Sequence, residues 1–264
     1  MRGLWVYADG GALHAAAMRI AVISDIHANL SALEAVLADI DRRGVSAVLN
    51  LGDSVSGPMA PGAVADLLIA RGIPQVRGNH DRFLVDRPPA EMGLWEQWAW
   101  PEMTPAYLDW LRAMPLVDQR HGILMVHGRP DDDNKNWLHR RAKDGSMVPA
   151  SLDECAGPAA GLEAEVIVSG HTHMARMVRV PGGPLLVNPG AVGCPAYWNA
   201  TITPPYWAES GSPDARYAVL EKIGGVWQAD LITVPYDARE MQALAREKGA
   251  QDWVRALETG WAPR

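Results

Sequence analysis

Cysteine is scarce in this 264-residue sequence, and long apolar segments are missing from it. Its two cysteines, Cys155 and Cys194, have no CxxC spacing, so they indicate neither a disulfide scaffold nor a zinc knuckle. No apolar run approaches the ~20 residues that a membrane-spanning helix requires. These features favour a protein of the reducing cytoplasm that has no membrane segment.

Positive charge is also limited, because 31 acidic residues outnumber 24 lysines and arginines and give a formal net charge of -7. Such a balance provides no general attraction to the phosphate backbone of a nucleic acid. The one short basic run, Arg140, Arg141 and Lys143, follows the acidic stretch 131–133 and is interpreted as solvated surface. We therefore expect a small-molecule substrate rather than a nucleic acid. The sequence does not indicate an oligomeric state.

Apolar residues make up 48% of the chain and charged residues 21%, a composition that supports a full core and argues against disorder. At this length one compact domain is the default. Met18 directly precedes the first strand pattern. Residues 1–17 are therefore interpreted as an N-terminal extension and residues 18–264 as a single domain.

Short β-branched apolar runs alternate with helical patterns from Arg19 onward, which predicts an α/β fold with a largely parallel sheet. Helices are predicted between Asn29 or Ser31, as the capping residue, and Gly44, and then over 61–70 and 237–259. The predicted strands are 20–23, 47–51, 73–77, 123–126, 166–169, 177–180, 185–187, 217–221 and 226–233.

Residues 86–117 differ from the rest in being rich in tryptophan and proline, and they are predicted to be helical and irregular. Such aromatic side chains could form a cap over an active site. A Trp-rich stretch more often packs into a core, however, and core packing is the favoured interpretation.

Five of the apolar strand patterns end abruptly in side chains that can bind a metal ion. In open α/β sheets ligands bind beyond the carboxyl ends of the strands, so these endings are expected to meet at one rim. Singly, each residue has an ordinary explanation, since Asp often forms turns and a lone His is usually a surface or core group. Their common placement favours a site instead. The candidates are Asp25, His27, Asp53, Asn79, His80, His127, His171 and His173.

The residue types fit two divalent metal ions, because neutral imidazoles and carboxylates suit first-row cations and thiolates are missing from the set. Manganese is the expected ion, with iron, zinc, nickel, cobalt and magnesium as alternatives. Glycines adjoin these endings at positions 52, 78, 128 and 170, where the lack of a Cβ lets the backbone turn sharply and approach the metals.

The motifs, taken in order, resemble the full motif string of the calcineurin-like metallophosphoesterases. They are Asp25-x-His27, Gly52-Asp53, Gly78-Asn79-His80-Asp81, His127 and Gly170-His171-x-His173, with Asn188-Pro189-Gly190 resembling a further recurrent element. Asn29, Leu30, Val55 and Gly57-Pro58 are most similar to the small prokaryotic phosphodiesterase branch of that superfamily. The resemblance implies a two-sheet β-sandwich flanked by helices, in four layers.

The resemblance also implies an arrangement of metal ligands. One metal ion would be held by Asp25, His27, Asp53 and His173, and the second would be completed by Asn79, His127 and His171. Asp53 would bridge the two.

The sequence departs from the protein Ser/Thr phosphatases and their diadenosine-polyphosphatase relatives at one place. Those proteins carry an Asp-Arg pair three residues after the bridging Asp, whereas this chain has Ser56 and Gly57. The missing Arg removes a bidentate phosphate clamp, and the missing Asp removes an orienting partner for His80. Hydrolysis of phosphoproteins is therefore not expected.

The resulting hypothesis is a metal-dependent phosphodiesterase that hydrolyses a small phosphoester. A hydroxide held between the metals would attack phosphorus in line, with Asp53 and Asn79 at the reacting centre. His80 would stand off the metals and protonate the leaving alkoxide. A phosphomonoesterase or nucleotide hydrolase using the same site is the alternative, and a non-catalytic interaction module on the same fold is a further one.

Two neighbours of the motifs have roles that the sequence leaves open. Arg129 could contact phosphate, or it could pair with a nearby Asp, and the two readings carry equal weight. Asp81 could orient the neighbouring loops.

Overall fold

The computed structural model describes residues 18–45 and 47–263. The predicted N-terminal extension, residues 1–17, lies outside them. The strands are Arg19–Ile23 (β1), Ala47–Asn50 (β2), Val117–Arg120 (β3), Ile123–Val126 (β4), His139–Arg141 (β5), Met147–Pro149 (β6), Val166–Val168 (β7), Arg176–Arg179 (β8), Leu185–Asn188 (β9), Ala196–Asn199 (β10), Tyr206–Glu209 (β11), Ala215–Ile223 (β12) and Val226–Val234 (β13).

The helices lie mostly in the first half of the chain and at its carboxyl end. The α-helices are Leu30–Arg42 (α1), Pro61–Arg71 (α2), Asn79–Asp86 (α3), Leu94–Ala99 (α4), Pro105–Ala113 (α5), Leu152–Ala156 (α6), Arg239–Glu247 (α7) and Gln251–Thr259 (α8). Short 3-10 helices span Pro89–Glu91, Trp100–Glu102 and Gly157–Ala159.

Two large sheets and two hairpins make up the β structure of the described residues. One sheet has the strand order β13-β12-β1-β2, and the other has the order β3-β4-β7-β9-β8. The hairpins are β10-β11 and β5-β6. Only β1-β2 in the first sheet and β4-β7-β9 in the second are parallel. The pairs β1-β12, β12-β13, β3-β4 and β8-β9 are antiparallel. The prediction of a largely parallel sheet is therefore wrong for β3, β8, β12 and β13, which pair in antiparallel fashion.

The two sheets pack face to face, and alternation along the strands decides which side chains meet between them. In β1, Ile20 and Val22 join a buried cluster with Met125 and Val168 of the second sheet. Ala21 and Ile23 point to the other side of the sheet and join a second cluster, where α1 and α2 cover the first sheet. Buried aliphatic side chains of this kind contribute about 1.5 to 3 kcal/mol each. This confirms the predicted two-sheet sandwich flanked by helices.

Helix α1 begins where the sequence predicted. The side chain of Asn29 accepts a hydrogen bond from the backbone N–H of Ala32 at 3.0 Å, which caps the helix. Leu33, Val36 and Ile40 follow at helical spacing and are buried against the first sheet.

Two local predictions need correction, and several elements were not predicted. Residues 73–77 do not form a strand but a single parallel bridge between Gln75 and Asn50, because Pro74 has no N–H to extend the ladder. The tail predicted as one helix divides into α7 and α8, since Gly249 adopts a positive φ of 72° between them. Strands β3, β5, β6, β10 and β11 and helices α3 and α6 were not predicted.

Candidate metal centre

Two groups of metal-binding side chains lie side by side at the predicted rim. In each group the ligand atoms all lie within 4.8 Å of one another. The first group is Asp25, His27 and His173, and the second is Asp53, His127 and His171. All of them are buried except His171, which is partly buried. The structure thus brings together residues from four separate segments of the chain.

Asp53 lies between the two groups, and Asn79 adds a ligand to the second. Asp53 Oδ2 lies 3.0 Å from Nε2 of His127 and 3.9 Å from Nε2 of His27, so it stands between them. Asn79 Oδ1 lies 3.0 Å from Nε2 of His127 and 2.9 Å from Nδ1 of His171. This is the placement that a bridging carboxylate and an amide ligand of the second group would need.

The outer ring nitrogens show which way the histidines are oriented. Nδ1 of His127 lies 2.8 Å from the backbone oxygen of Leu51, and Nδ1 of His173 lies 2.9 Å from that of Cys194. A carbonyl only accepts, so Nδ1–H donates in both rings and Nε2 of a neutral ring carries a lone pair. The Nε2 atoms therefore point inward as acceptors.

Several acceptors consequently face one another without a donor between them. Nε2 of His27 lies 3.2 Å from Nε2 of His173, and that atom of His173 lies 3.4 Å from Oδ1 of Asp25. Inward-facing lone pairs and buried carboxylates at such distances are stabilised by a shared cation. Imidazole, carboxylate and amide donors without thiolate suit divalent first-row ions. The residues present therefore fit two metal ions.

The charge states of His27 and His171 agree with this geometry. Burial and the neighbouring His173 lower the pKa of His27 to about 3, and burial and His127 lower the pKa of His171 to about 4. Both rings are then neutral ligands at neutral pH. Burial also disfavours a charged His127, but the carboxylates of Asp53 and Asp25 outweigh it and raise the pKa of that ring to about 9. The same negative field attracts a metal cation.

The backbone is held in an uncommon conformation at these positions. Among the described residues, seven other than glycine have a positive φ, and five of the seven are the candidate ligands Asp25, His27, Asp53, His171 and His173. The left-handed region costs a residue with a Cβ about 1 to 3 kcal/mol, and such residues concentrate at functional sites.

Glycines allow the loops that carry the ligands to touch. A Cβ on Gly78 would collide with the carboxylate of Asp53, and a Cβ on Gly170 would collide with the Ser24 hydroxyl and lie 2.7 Å from Oδ2 of Asp25. These glycines therefore permit close packing between neighbouring loops. The predicted requirement for glycine is therefore confirmed at positions 78 and 170. There the backbone closely approaches the side chains of candidate ligands.

Asp81 fastens the loop of Asp53 to the start of α3. Its carboxylate accepts backbone N–H bonds from Asp53 at 2.8 Å, Ser54 at 3.0 Å and Gly78 at 3.2 Å. Burial and the adjacent Asp53 charge raise the pKa of Asp81 to about 6, although these hydrogen bonds oppose the rise. Asp81 therefore orients the loops and belongs to neither ligand group.

Ser56 contacts the metal site from the position where the sequence departs from the phosphatases. Its hydroxyl lies 2.9 Å from Nδ1 of His27. Ser56 therefore contacts His27 of the first group, whereas the carboxylate that contacts His80 is that of Glu96.

His80 lies beside the two groups and outside both of them. Its backbone N–H donates to Oδ1 of Asp53 at 2.9 Å, and its Nδ1 contacts the carboxylate of Glu96. The ring of Trp95 stacks on the His80 ring with centroids 4.9 Å apart and planes at 18°. Burial disfavours the charged ring, but Asp53 and Glu96 raise the pKa of His80 above its ordinary value.

The Trp-rich segment therefore divides between core and site. Trp100 and Trp110 pack against the helix-covered core, as the favoured interpretation predicted. Trp95 instead contacts His80 and lies 4.9 Å from the His27 ring, so this part of the segment covers the site. Sequence reasoning missed Trp95 and Glu96 as site residues, and their position in a Trp-rich helix was the only signal for them.

Arg129 has an ordinary role. Its guanidinium donates to both carboxylate oxygens of Asp131, at 2.8 and 2.6 Å. The ion-pair reading of Arg129 is therefore the one observed.

A cavity of about 350 Å³ opens beside the metal residues. Asp53, His80, His171 and His173 form its floor, and Trp95 and the β10-β11 hairpin contribute to its walls. A space of this size suits a small-molecule ligand.

The fold and the two adjacent ligand groups are those of a metallophosphoesterase-type site, and comparison with known proteins agrees. The model of the calcineurin-like phosphoesterase superfamily domain matches residues 18–203. The chain belongs to this superfamily, so phosphoester hydrolysis is the chemistry that its family indicates.

Individual relatives extend over nearly the whole chain. A metallophosphoesterase from Sphaerobacter thermophilus has a structure similar to this one, with a TM-score of 0.71 and 27% identity, covering 93% of this chain and 100% of that one. A hypothetical protein from Pyrococcus horikoshii OT3 has the same fold, with a TM-score of 0.71 and 16% identity, covering 93% and 99%. An uncharacterized protein of Methanocaldococcus jannaschii is 23% identical over 258 residues, which cover 89% of this chain and 95% of that protein. Among the residues described, no helix has the length and apolarity to cross a membrane.

Proposed function

We propose that the protein is a two-metal phosphodiesterase that hydrolyses a small phosphoester. The observation that carries this proposal is the pair of ligand groups with Asp53 between them and Asn79 beside the second. A site of two such groups is the arrangement used for in-line displacement at phosphorus.

Seven side chains would hold the metals. One ion would be bound by Asp25, His27, Asp53 and His173, and the other by Asp53, Asn79, His127 and His171. When bound, two divalent cations lower the pKa of water and neutralise phosphate oxygens. Manganese is the proposed ion, because the carboxylate and amide oxygens of the set suit it, and iron, zinc, nickel, cobalt and magnesium are the alternatives.

His80 is the proposed general acid. Glu96 engages its Nδ1 atom, which leaves Nε2 to donate a proton to the leaving oxygen. Stacking by Trp95 and the bond from the His80 backbone to Asp53 fix the ring next to the metal residues. The raised pKa of His80 favours the protonated form that a general acid requires.

A phosphodiester is preferred to a phosphoprotein or a nucleic acid as the substrate. Ser56 and Gly57 stand where phosphatases place the Asp-Arg pair that clamps a phosphate. The acidic balance of the chain also offers no electrostatic attraction for a nucleic acid strand. A phosphomonoester or a nucleotide hydrolysed at the same site is the second candidate, since the same side chains would serve it.

The proposal is tested with protein stripped of metal by a chelator and reloaded with each divalent ion in turn. Bis(p-nitrophenyl) phosphate reports diester hydrolysis, p-nitrophenyl phosphate reports monoester hydrolysis, and a diester with an alkoxide leaving group tests the acid. We expect metal-dependent turnover that is greater for diesters. His80→Ala should retain both metals yet lose roughly 10²- to 10⁴-fold in kcat on the alkoxide diester.

His121→Ala is the matched control, because His121 is an exposed histidine in the turn between β3 and β4. It should behave as the unaltered protein does. No hydrolysis with any ion would refute the proposed activity, and full turnover of the alkoxide diester by His80→Ala would refute its acid.

A further inference from the structure

The cavity beside the metal residues has aromatic walls from two separate parts of the chain. Trp95 comes from α4, and Tyr197, Trp198 and Tyr206 come from the β10-β11 hairpin. The rings form a connected series, with centroids 6.2 Å apart between Trp95 and Tyr197 and 5.8 Å apart between Tyr197 and Tyr206. A recess walled by flat rings offers stacking surfaces to a flat ligand group.

These walls start at the metal residues themselves. Tyr197 lies 4.7 Å from the ring of His173, and Trp95 stacks on His80 at 4.9 Å. A phosphorus atom placed at the metal residues would therefore have its substituent directly within the aromatic recess.

The charges of the recess restrict what that substituent can be. In the described part of the chain no lysine or arginine lines the cavity, whereas Glu96 and Asp252 do. Arg141 lies over the Tyr206 ring, 5.0 Å from its centroid, but does not line the cavity. A chain of further phosphates would have no cationic partner there, so an uncharged substituent is favoured.

We propose that this recess binds a planar aromatic substituent of the phosphodiester, the chemistry that a nucleoside base provides, and disfavours polyphosphate chains. The inference rests on the proposed function, since it places the phosphodiester group at the metal residues. Stacking on aromatic side chains tolerates any flat ring, so the recess selects for planarity rather than for one base. Asn199 and Thr201, which also line the cavity, add an amide and a hydroxyl for polar ring edges.

Binding is measured by calorimetry on metal-loaded His80→Ala protein, so that the readout does not depend on turnover. The probes are the methyl esters of phenylphosphonate and cyclohexylphosphonate, which have equal charge and similar size but differ in planarity. We expect the phenyl compound to bind roughly 5- to 100-fold more tightly, the range that stacking on aromatic residues provides. Equal binding would overturn the proposal.

Trp198→Ala removes one wall in the same background and should reduce that preference, and Trp198→Phe should restore part of it. The Trp198 residue is 42% exposed, so its replacement should leave the fold intact. Trp261→Ala is the matched control, because Trp261 is 47% exposed and lies outside this cavity. An unchanged preference in Trp198→Ala would show that Trp198 does not contact the aromatic group, and it would contradict this part of the proposal.

Hydrolysis by the unaltered protein separates this inference from the proposed function. We expect the KM of thymidine 5′-(methyl phosphate) to be lower than that of methyl cyclohexyl phosphate by a factor of roughly five or more. Equal KM values with metal-dependent turnover would overturn the aromatic recess and leave the activity standing. Failure to hydrolyse any diester would refute the activity, while selective phosphonate binding would still support the recess. Preference for ATP over these diesters would overturn the charge argument.

Discussion

The carboxylate of Glu96 contacts Nδ1 of His80, although the two residues lie on different helices and 16 positions apart. Glu96 is buried, and its helix also carries Trp95, which stacks on the same imidazole. One short helix thus fixes both the face and one nitrogen of the proposed acid. Glu96 thus gives His80 the carboxylate partner that position 56 lacks, and it does so from a distant segment of the chain.

Replacing Glu96 should weaken the acid without removing the metals. In Glu96→Gln the amide can still contact His80, but its negative charge no longer favours the imidazolium. We expect kcat to fall about 10- to 100-fold for a diester with an alkoxide leaving group. A p-nitrophenolate leaving group needs little protonation, so its hydrolysis should change much less. Metal content is measured on the same samples.

Glu91→Gln is the control for this prediction, since Glu91 is exposed in the same segment of the chain. Equal losses on the two leaving groups would show that Glu96 acts through the fold and not through His80.

Asp53→Asn should affect both metals, because Asp53 stands between the two ligand groups. An amide oxygen is a weaker ligand than a carboxylate and carries no charge to offset two cations. We expect fewer than two metal ions per chain by elemental analysis and a loss of turnover on every phosphoester. A variant that kept two ions would contradict the bridging role.

Most of the centre could be predicted from the sequence because its ligands follow apolar strand patterns. Asp25, Asp53 and His127 each come at or just after the end of a β-strand, and the periodicity of those strands is visible in the sequence. The carboxyl ends of neighbouring strands then bring the ligands to one rim. The sandwich core could be predicted for the same reason, since alternate residues of β1 face opposite clusters.

The surroundings of the centre could not be predicted in this way. Glu96 and Tyr197 reach the site from a short helix and a hairpin whose positions depend on tertiary packing, and neither has a periodic signal that points to the metals. Strand β10 has a mixed burial pattern, with Trp198 exposed, so it lacks the apolar run that identifies a core strand. The same limitation applies to the irregular segment 73–77, where Pro74 interrupts an apolar pattern.

Asp81→Asn should loosen the loop that carries Asp53. The Asp81 carboxylate accepts three backbone N–H bonds, and an asparagine has only one acceptor oxygen. At least one buried N–H would lose its charged partner, which costs about 2 kcal/mol of the free energy of unfolding. We expect weaker metal binding and a lower midpoint in urea denaturation.

Asp86→Asn is the matched control, because Asp86 is exposed at the end of the same helix. If both variants retained the stability and metal affinity of the unaltered protein, Asp81 would have no structural part in the site.

His139 should make the stability of the fold depend on pH through a group that belongs to neither ligand group. It begins β5 and is buried, and its Nδ1 atom has no hydrogen-bond partner among the described residues. Burial, with a smaller effect of Arg176, lowers the pKa of His139 from 6.5 to about 4. Because the pKa is depressed in the folded state, the neutral ring stabilises the fold above pH 6.5, and this contribution is lost as the pH falls towards 4.

Between about pH 7.5 and about pH 5 this loss amounts to about 2 kcal/mol. It is measured by urea denaturation in the presence of a chelator, at about pH 7.5 and about pH 5, for the unaltered protein and for His139→Leu. Other histidines titrate in both proteins, so the difference between the two isolates His139. We expect the leucine variant to lose less stability on acidification. Parallel pH profiles would show that burial does not hold His139 in its neutral form.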